Sequence, residues 1–231
     1  MMNEKYIESF KDPEFVNVIL DNMLTKGYAE LSEFVDQETI DNLISYSDSL
    51  GFNDPAIKRK AGTPAMDIAR SDEFMAMFNS ICKARFHSEN SEYVNLNPLQ
   101  QAVGFPRKSS KDQSATPFHF DDSYINVLLA LKISTKEDEG NLLVYPNFRQ
   151  RIKPLIVSKI FARLIRHIPL VRMIFKPKIV RYKEGSLYLF FGDITLHGVT
   201  KITTGERHVM VVNASRLTPE KYDDKYIVGG N

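Results

Sequence analysis

Two histidines and one aspartate are the residues of this chain best suited to hold a metal ion. His119 and Asp121 form a His-x-Asp sequence, and His197 follows 76 residues after Asp121. Two imidazoles and one carboxylate can occupy three adjacent corners of an octahedron, which leaves three positions open on a ferrous iron. On a β-strand, residues i and i+2 point to the same face, so His119 and Asp121 can reach one ion. The spacing therefore predicts a two-His-one-carboxylate iron site.

The elements that must position these residues are predicted to be strands. The apolar run 124–133 follows the His-x-Asp sequence directly. His197 lies near the end of a second apolar run, 185–198, and Arg207 opens a third, 207–213, ten residues after His197. Short apolar runs of this kind are typical of strands in an all-β core.

The order of these pieces resembles the iron(II)/2-oxoglutarate-dependent dioxygenases, and within them the phytanoyl-CoA dioxygenase-like group. That pattern has His-x-Asp, an acidic Gly-containing turn, a Leu-rich strand ending in Pro, a Gly-Ser pair, a second His and then Arg. The corresponding pieces here are His119-Phe-Asp121, Glu139-Gly-Asn-Leu-Leu-Val-Tyr-Pro146, Gly185-Ser186, His197 and Arg207. The resemblance covers roughly residues 27–215. One departure is that Pro146-Asn-Phe-Arg149 stands where the family often has Pro-Gly-Ser-His.

The resemblance implies a fold, cofactors and roles for particular residues. The fold is a double-stranded β-helix (jelly roll), mainly β with packed helices. The cofactors are Fe(II), held by His119, Asp121 and His197, with 2-oxoglutarate and O₂ as cosubstrates. Arg207 suits the far carboxylate of 2-oxoglutarate, since a guanidinium keeps its charge and makes two parallel bonds to a carboxylate. Further candidates for binding this cosubstrate, on its 1-carboxylate side, are Gln101, Asn126 and Asn213.

The chain is predicted to fold as one oxygenase domain, 1–231. It has 231 residues of which 43% are apolar, enough to bury one core. Residues 1–95 form an N-terminal support region with helices expected at 1–25, 37–49 and 72–86. The jelly-roll core comprises 96–148 and 179–216, and residues 149–178 are a helical insertion.

The insertion combines basic and apolar residues. Residues 149–178 contain nine Lys or Arg and no Asp or Glu, whereas the rest of the chain has 21 basic and 29 acidic residues. We expect Ile160, Leu164 and Ile168 to face protein or substrate. We expect a positive surface from Lys159, Arg163 and Arg166. Three interpretations remain open: an ordinary solvated helix, a lid or docking site for an anionic substrate or carrier, and contact with a membrane surface through 154–175.

Composition narrows the function classes. The single cysteine, Cys82, excludes an internal disulfide and a thiolate metal cluster. No apolar run reaches the roughly 18 residues that span a bilayer, and no secretory signal pattern is present, so we expect a cytoplasmic protein, with a membrane-peripheral location as the alternative. Nucleic-acid binding is not favoured, because the basic residues concentrate on one apolar-rich segment without a platform of stacking aromatic residues.

The leading hypothesis is an Fe(II)- and 2-oxoglutarate-dependent oxygenase that hydroxylates a small or medium-sized organic substrate, which could be anionic, acyl or carrier-linked. Halogenation is less favoured, because the halogenating relatives lack a carboxylate at the position of Asp121. One alternative is a non-catalytic jelly-roll protein that binds a metal or ligand. Another is a peripheral membrane protein that works through 154–175. Arg207 favours the oxygenase, because a protein that only bound a metal would need no carboxylate-binding arginine.

Overall fold

A computed structural model describes residues 2–49, 64–69, 71–89, 102–103, 116–121, 123–152 and 155–215 of the chain. The helices are α1 (Glu4–Ser9), α2 (Pro13–Thr25), α3 (Gln37–Ser49), α4 (Pro64–Ala69), α5 (Asp72–Glu89), α6 (Phe148–Arg151), α7 (Leu155–His167) and α8 (Pro169–Ile174). The strands are β1 (Ala29–Leu31), β2 (Ala102–Val103), β3 (Thr116–His119), β4 (Ser123–Lys132), β5 (Leu142–Tyr145), β6 (Lys178–Val180), β7 (Leu187–Phe190), β8 (Leu196–Val199) and β9 (His208–Ser215).

The strands form two antiparallel sheets that face each other. The larger sheet has the order β1-β7-β4-β9-β2, and the smaller sheet has the order β3-β8-β5-β6. From β6 onward the chain alternates between the sheets, with β7 in the larger, β8 in the smaller and β9 in the larger. This winding, in which successive strands alternate between two facing sheets, is that of a double-stranded β-helix, so the predicted fold class is confirmed.

Strand β4 is buried on both faces, which explains its nearly continuous apolar sequence. Side chains of a strand point alternately to its two faces. On one face, Leu128 and Ala130 pack with Tyr188 and Phe190 of β7 against side chains of the smaller sheet, including Leu142 and Val144. This inter-sheet cluster fills the interior of the barrel. On the other face, alternate residues of β4 pack against helices.

Helices α2, α3 and α5 cover the outer face of the larger sheet and contribute Met23, Leu43 and Phe78 to that layer. Helix α3 has the bounds expected for it, 37–49, and the carboxylate of the preceding residue, Asp36, accepts the Thr39 backbone N–H at 2.8 Å. The helix predicted over 1–25 is instead two helices. Asp12 caps the second, and Pro13 occupies its first turn.

The insertion forms helices α6, α7 and α8 between β5 and β6. Ile165 of α7 is fully buried against the outer face of the smaller sheet, where it packs with Phe118 and Leu196. Our expectation that Ile160, Leu164 and Ile168 would be covered is wrong, since these side chains are 57%, 36% and 39% exposed. The difference lies in the orientation of α7 about its own axis. The helix carries two apolar stripes, and the stripe that contains Phe161 and Ile165 is the one that contacts the sheet.

The sequence also predicts loops at 58–64 and 106–115, and both lie outside the described residues except for Pro64, which begins α4 instead. Within the ranges that are described, none of the helices has the length and apolarity needed to cross a bilayer.

Candidate metal centre

Adjacent strands of the smaller sheet bring the two histidines together. The register of β3 and β8 pairs His119 directly with His197. Their chain neighbours Phe118 and Leu196 pack on the outer face of the sheet, so by alternation both imidazoles point to the barrel interior. The strands approach closely at Gly198, where an added Cβ would lie 2.9 Å from the Thr116 carbonyl oxygen. A glycine at 198 therefore lets the two histidine strands pair tightly.

Asp121 completes the cluster from a position just beyond the strand. We expected it on the same strand face as His119, but β3 ends at His119. The Asp121 backbone N–H instead donates to the Gly192 carbonyl at 3.1 Å, which ties this turn to the segment after β7. The carboxylate still reaches both imidazoles, with Oδ1 3.4 Å from His119 Nε2 and Oδ2 3.2 Å from His197 Nε2.

These three side chains could hold one divalent cation. Their ligand atoms all lie within 4.8 Å of one another. Two ligand atoms about 2.1 Å from one ion, at a right angle, are about 3.0 Å apart. The two carboxylate–imidazole distances are close to that spacing. The donor set of two nitrogens and one carboxylate matches the facial triad of non-haem iron sites.

Backbone carbonyls orient both imidazoles. His119 Nδ1 lies 2.8 Å from the Pro117 carbonyl oxygen, and His197 Nδ1 lies 3.0 Å from that of Thr195. A proton on each Nδ1 satisfies these contacts and turns each Nε2 toward the cluster, where it bonds to Asp121 in the metal-free protein and would offer its lone pair to an ion on loss of its proton. Metal-binding histidines are commonly oriented in this way, because the second nitrogen fixes the tautomer. Phe190 packs its ring edge-on against His197, with 4.8 Å between ring centroids.

Contacts with the two histidines keep the Asp121 carboxylate ionised. Burial acts to raise the pKa of Asp121, but hydrogen bonds from His119 and His197 outweigh it and hold that pKa well below its ordinary value. The hydrogen bond with Asp121 is in turn the main reason that the pKa of His119 is raised, against the opposing effect of burial. The carboxylate is therefore ionised at neutral pH, and it attracts positive charge to this position.

Asn126 holds the carboxylate in place. Its side chain is 2% exposed, donates from Nδ2 to Asp121 Oδ2 and accepts from the Ser123 hydroxyl at Oδ1. A Cβ at residue 192 would lie 2.7 Å from Asn126 Oδ1, so Gly192 leaves the room that this amide needs. We expected Asn126 to be a cosubstrate contact, but the structure places its amide against Asp121.

The other two residues considered for the cosubstrate are only partly described. Asn213 lies opposite Asn126 and Ala102 in the larger sheet, but its side chain is not among those that the structure describes. Gln101 lies outside the described residues altogether.

Arg207 lies in the same barrel interior. It immediately precedes β9, is 4% exposed, and donates from Nη1 to the Gly140 carbonyl at 2.8 Å. A cavity of about 180 Å³ opens beside it and is lined in part by Gly140, Asn141 and Tyr182. The Tyr182 hydroxyl is buried and has no hydrogen-bond partner among the described residues. The Arg207 guanidinium carbon is 5.8 Å from the centroid of the Tyr182 ring.

Arg207 and Tyr182 offer this cavity a guanidinium and a buried hydroxyl, two donors that suit a carboxylate, and its lining also contains Glu137 and Glu139. Sequence reasoning missed Tyr182, although it follows Val180 at the two-residue spacing of inward-facing strand positions. The inter-sheet cluster separates this cavity from the metal cluster, with Tyr182 against Tyr188 and Phe190 against His197. None of the three clustered metal-binding candidates lines the cavity.

Two further arginines lie beside the metal cluster. Arg149 stacks over Phe120, the middle residue of His-x-Asp, with its guanidinium carbon 3.9 Å from the ring centroid. Its Nη1 donates to the Asp193 carbonyl at 2.7 Å. From α7, the positive charge of Arg166 acts to lower the pKa of His119, although hydrogen bonding with Asp121 dominates that pKa. The sequence indicated Arg149 only as a departure from the family pattern.

Asp193 belongs to the scaffold of the site. Its carboxylate forms an ion pair with Arg85 at 3.3 Å. The Arg85 guanidinium carbon lies 3.6 Å from the ring centroid of Tyr124 and 3.8 Å from that of Phe191. This pairing fixes the turn that follows β7, and the Gly192 carbonyl that binds Asp121 lies in the same turn.

Several solved structures have the same fold. A prolyl 4-hydroxylase of Phytophthora capsici superposes with a TM-score of 0.60 at 15% sequence identity, covering 94% of this chain and 66% of that one. A Pseudomonas putida prolyl-4-hydroxylase gives a TM-score of 0.53 at 15% identity, covering 88% and 95%. A Trichoplax adhaerens prolyl hydroxylase, solved with a peptide fragment of the hypoxia inducible factor oxygen degradation domain, gives 0.51 at 13% identity, covering 89% and 91%.

No protein-family model and no curated protein matches the sequence. This chain spans about two thirds of the length of the Phytophthora enzyme. All three structures are named as prolyl hydroxylases, so the phytanoyl-CoA dioxygenase-like subgroup stays a prediction. At identities this low the likeness concerns the fold, and the chain has the double-stranded β-helix fold of these hydroxylase structures, with a His-Asp-His cluster in its interior.

Proposed function

We propose that this protein is an Fe(II)- and 2-oxoglutarate-dependent oxygenase that hydroxylates an organic substrate. The observation that supports this most is the convergence of His119, Asp121 and His197 inside a double-stranded β-helix, with both Nε2 atoms directed at the carboxylate. When bound, Fe(II) and 2-oxoglutarate react with O₂ to place one oxygen atom on the substrate and the other in succinate, with release of CO₂.

The residues of the chain have separate tasks in this proposal. His119, Asp121 and His197 hold the iron, and Asn126 keeps the Asp121 carboxylate oriented toward it. Arg207 and the Tyr182 hydroxyl bind the far carboxylate of 2-oxoglutarate. The aromatic side chains of the inter-sheet cluster lie between the iron ligands and the cavity beside Arg207, and they keep water out of that space. A cosubstrate that binds both the iron and Arg207 has to pass through the inter-sheet cluster. These aromatic side chains must therefore move apart when 2-oxoglutarate binds.

The substrate is an anionic molecule, with acyl and carrier-linked compounds as the first classes to examine. Two observations support an anion. Arg149 is stacked on Phe120 within the His-x-Asp sequence, and the basic residue Arg166 lies on α7, the helix that packs against the His119 strand. A peptide is the other class to examine, because the Trichoplax enzyme was solved with one. Hydroxylation is favoured over halogenation, since Asp121 supplies a carboxylate that a bound halide would have to replace.

A non-catalytic binding protein is the competing function. It accounts for the metal cluster but gives no role to Arg207 and Tyr182, two buried polar side chains that line one cavity. The decisive assay measures O₂-dependent succinate formation from 2-oxoglutarate with Fe(II), across a panel of acyl, carrier-linked and peptide substrates. We expect turnover by the wild type and by the surface control Lys201→Gln, and none by Asp121→Ala. Succinate at the no-enzyme level in iron-loaded wild type with every panel member would support the binding protein instead.

A further inference from the structure

Exposed apolar side chains concentrate on one part of the surface. Of the twelve exposed large hydrophobic residues in the described part of the chain, ten lie between residues 156 and 179. They are Ile156, Val157, Ile160, Leu164, Ile168, Leu170, Met173, Ile174, Phe175 and Ile179. The first nine, with the basic residues Lys159, Arg163, Arg166 and Arg172 that lie among them, are called here the α7–α8 surface. A contiguous apolar surface of this size marks an interaction site in a soluble protein.

Helix α7 presents three rows of side chains along its length, called stripes here: one apolar and exposed, one apolar and buried, and one basic. Residues four apart lie along one side of a helix. Ile156, Ile160 and Leu164 form an exposed apolar stripe at this spacing. Phe161 and Ile165 form the stripe that packs on the smaller sheet. The third stripe is basic and exposed, and consists of Lys159, Arg163 and Arg166. The apolar stripe therefore lies between the protein body and a row of positive charges.

Helix α8 extends the same surface. Leu170, Met173 and Ile174 have the spacing of one helical face, and all are more than half exposed. The Phe175 ring, half exposed, packs edge-on against Phe161 of α7, with 4.9 Å between ring centroids. The contact holds the two helices together and places their exposed aliphatic side chains on adjoining surfaces.

The charge of the insertion indicates what covers this surface. Residues 149–178 carry nine basic and no acidic residues. Two copies of the chain that met through this face would bring like charges together, which opposes self-association there. The exposed apolar side chains of the surface are aliphatic residues, one Met and one Phe, with no Tyr or Trp, the aromatic residues that are enriched among the anchors of protein interfaces. Aliphatic residues beside a basic stripe are typical of helices that lie at an anionic bilayer surface.

We propose that the α7–α8 surface binds an anionic lipid bilayer. The exposed aliphatic side chains enter the boundary between headgroups and acyl chains, and the basic stripe of α7 pairs with lipid phosphates. The same helix packs against β3, the strand that carries His119. Docking would therefore hold the metal centre close to the membrane surface. The proposal does not depend on the oxygenase activity, and a membrane-bound protein without that activity would still satisfy it.

Vesicle flotation of the full chain tests the proposal. The probes are phosphatidylcholine vesicles and vesicles in which about a third of the lipid is phosphatidylglycerol. We expect flotation with the anionic vesicles, weak flotation with the neutral ones, and release by salt. Lys159→Gln and Arg163→Gln should each weaken partitioning about fivefold. The double variant Ile160→Ser/Met173→Ser should weaken it at least about tenfold. Because these side chains are exposed, the variants should unfold at the wild-type temperature.

Matched controls are Val18→Ser, an exposed apolar residue on α2, and Lys201→Gln, an exposed basic residue near the Arg207 loop. Both should float as the wild type does. Three results would overturn the proposal: absence of flotation with anionic vesicles, flotation that the α7–α8 variants leave unchanged, or flotation that the controls weaken equally. A dimer in light scattering that Ile160→Ser/Met173→Ser dissociates would also overturn it and assign the surface to a second copy. None of these results depends on succinate formation, so this proposal and the oxygenase proposal fail separately.

Discussion

Individual side chains explain how a carboxylate outside a strand still belongs to the metal cluster. Asp121 lies beyond the end of β3, and Asn126 is the buried neighbour whose amide reaches it. The amide in turn is held by Ser123 and fits because residue 192 has no side chain. Asn126 is therefore a positioning residue for the metal site.

Replacing Asn126 tests this role. Asn126→Ala removes the hydrogen bond that orients Asp121, and we expect the affinity for Fe(II) or Mn(II) to fall about 10- to 100-fold. Titration calorimetry with Mn(II) measures the change. The matched control is Asn147→Ala, which removes another buried amide, one that donates to the backbone of α2. It should lower stability and leave metal affinity unchanged. Equal losses of metal affinity in both variants would mean that Asn126 acts only through the fold.

Glu139 gives a pH-dependent prediction. Its carboxylate accepts the backbone N–H groups of Thr203 and Thr204, each at 2.9 Å, and so closes the loop that leads to Arg207. The hydrogen bond from the Thr203 side chain is the main reason that the pKa of Glu139 is lowered from 4.5 to about 2. A lowered folded-state pKa stabilises the fold above the unfolded-state pKa, and this contribution is lost as the pH falls through the folded value.

We therefore expect Glu139→Gln to unfold at a lower temperature than the wild type at neutral pH. The difference should shrink as the pH falls from about 4.5 toward about 2, because the wild-type carboxylate becomes protonated in that range. Thermal unfolding of both proteins across this range measures the effect. A difference that stays constant with pH would show that the charge of Glu139 does not contribute.

Spacing in the sequence was sufficient to predict which three residues meet, because His-x-Asp and the distant histidine belong to one ordered pattern. It was not sufficient for Asn126, Tyr182 or Arg149. Their roles depend on which side chains oppose each other across the two sheets or stack over Phe120. Those pairings arise from tertiary packing, and neither residue type nor local spacing determines them.

At the scale of elements, the close pairing of β3 and β8 determines the geometry of the two imidazoles. Gly198→Ala tests it, because the added Cβ would lie 2.9 Å from the Thr116 oxygen and 3.3 Å from the Phe118 nitrogen. We expect a loss of about 1–3 kcal/mol in the free energy of unfolding and a clear loss of metal affinity. Denaturant unfolding and metal titration measure the two effects.

Gly205→Ala is the control for that prediction. Gly205 has a positive φ of 71°, but an added Cβ would meet nothing closer than 3.6 Å. It should lower stability through backbone strain and leave metal affinity as in the wild type. If Gly198→Ala binds metal as tightly as Gly205→Ala does, the spacing of the two strands is not what sets the site.

For helix α7, the sequence predicted the helix but not which of its apolar faces is buried. Its amphipathic pattern was sufficient to predict a helix with a basic face. The pattern contains two apolar stripes, however, and we expected the stripe of Ile160 and Leu164 to be covered. The sheet instead accepts the stripe of Phe161 and Ile165, because that stripe matches the apolar outer surface around Phe118. A helical pattern gives the number of stripes, and only packing decides which of them is buried.

At the scale of the whole molecule, a metal ion would link β3 to β8 and to the turn after β3. An ion that binds the folded chain alone stabilises it by about 2.7 kcal/mol at about 100 times its Kd. For a chain of this size that corresponds to a rise in Tm of about 5–10 °C. We expect this rise when Mn(II) is added to the wild type and none for His197→Ala. An equal rise in both proteins would place the ion elsewhere.

The fold as a whole was predicted from the resemblance to the iron(II)/2-oxoglutarate-dependent dioxygenases, which depends on the order of the motifs and of the strand-like runs that carry them. The sequence did not predict that five strands would form one sheet and four the other. Short strands such as β1 and β6 carry little pattern of their own, and their sheet neighbours define them.

The most direct test of the central proposal is the affinity for 2-oxoglutarate, measured by calorimetry without oxygen on protein loaded with Mn(II). Wild type should bind one equivalent. Arg207→Ala and Arg207→Lys should lose on the order of 3–5 kcal/mol of that binding, because Lys cannot supply the two-bonded geometry, while their metal affinity stays unchanged. Asp121→Ala should lose both metal and cosubstrate. Equal 2-oxoglutarate affinity in the wild type and both Arg207 variants would contradict the account.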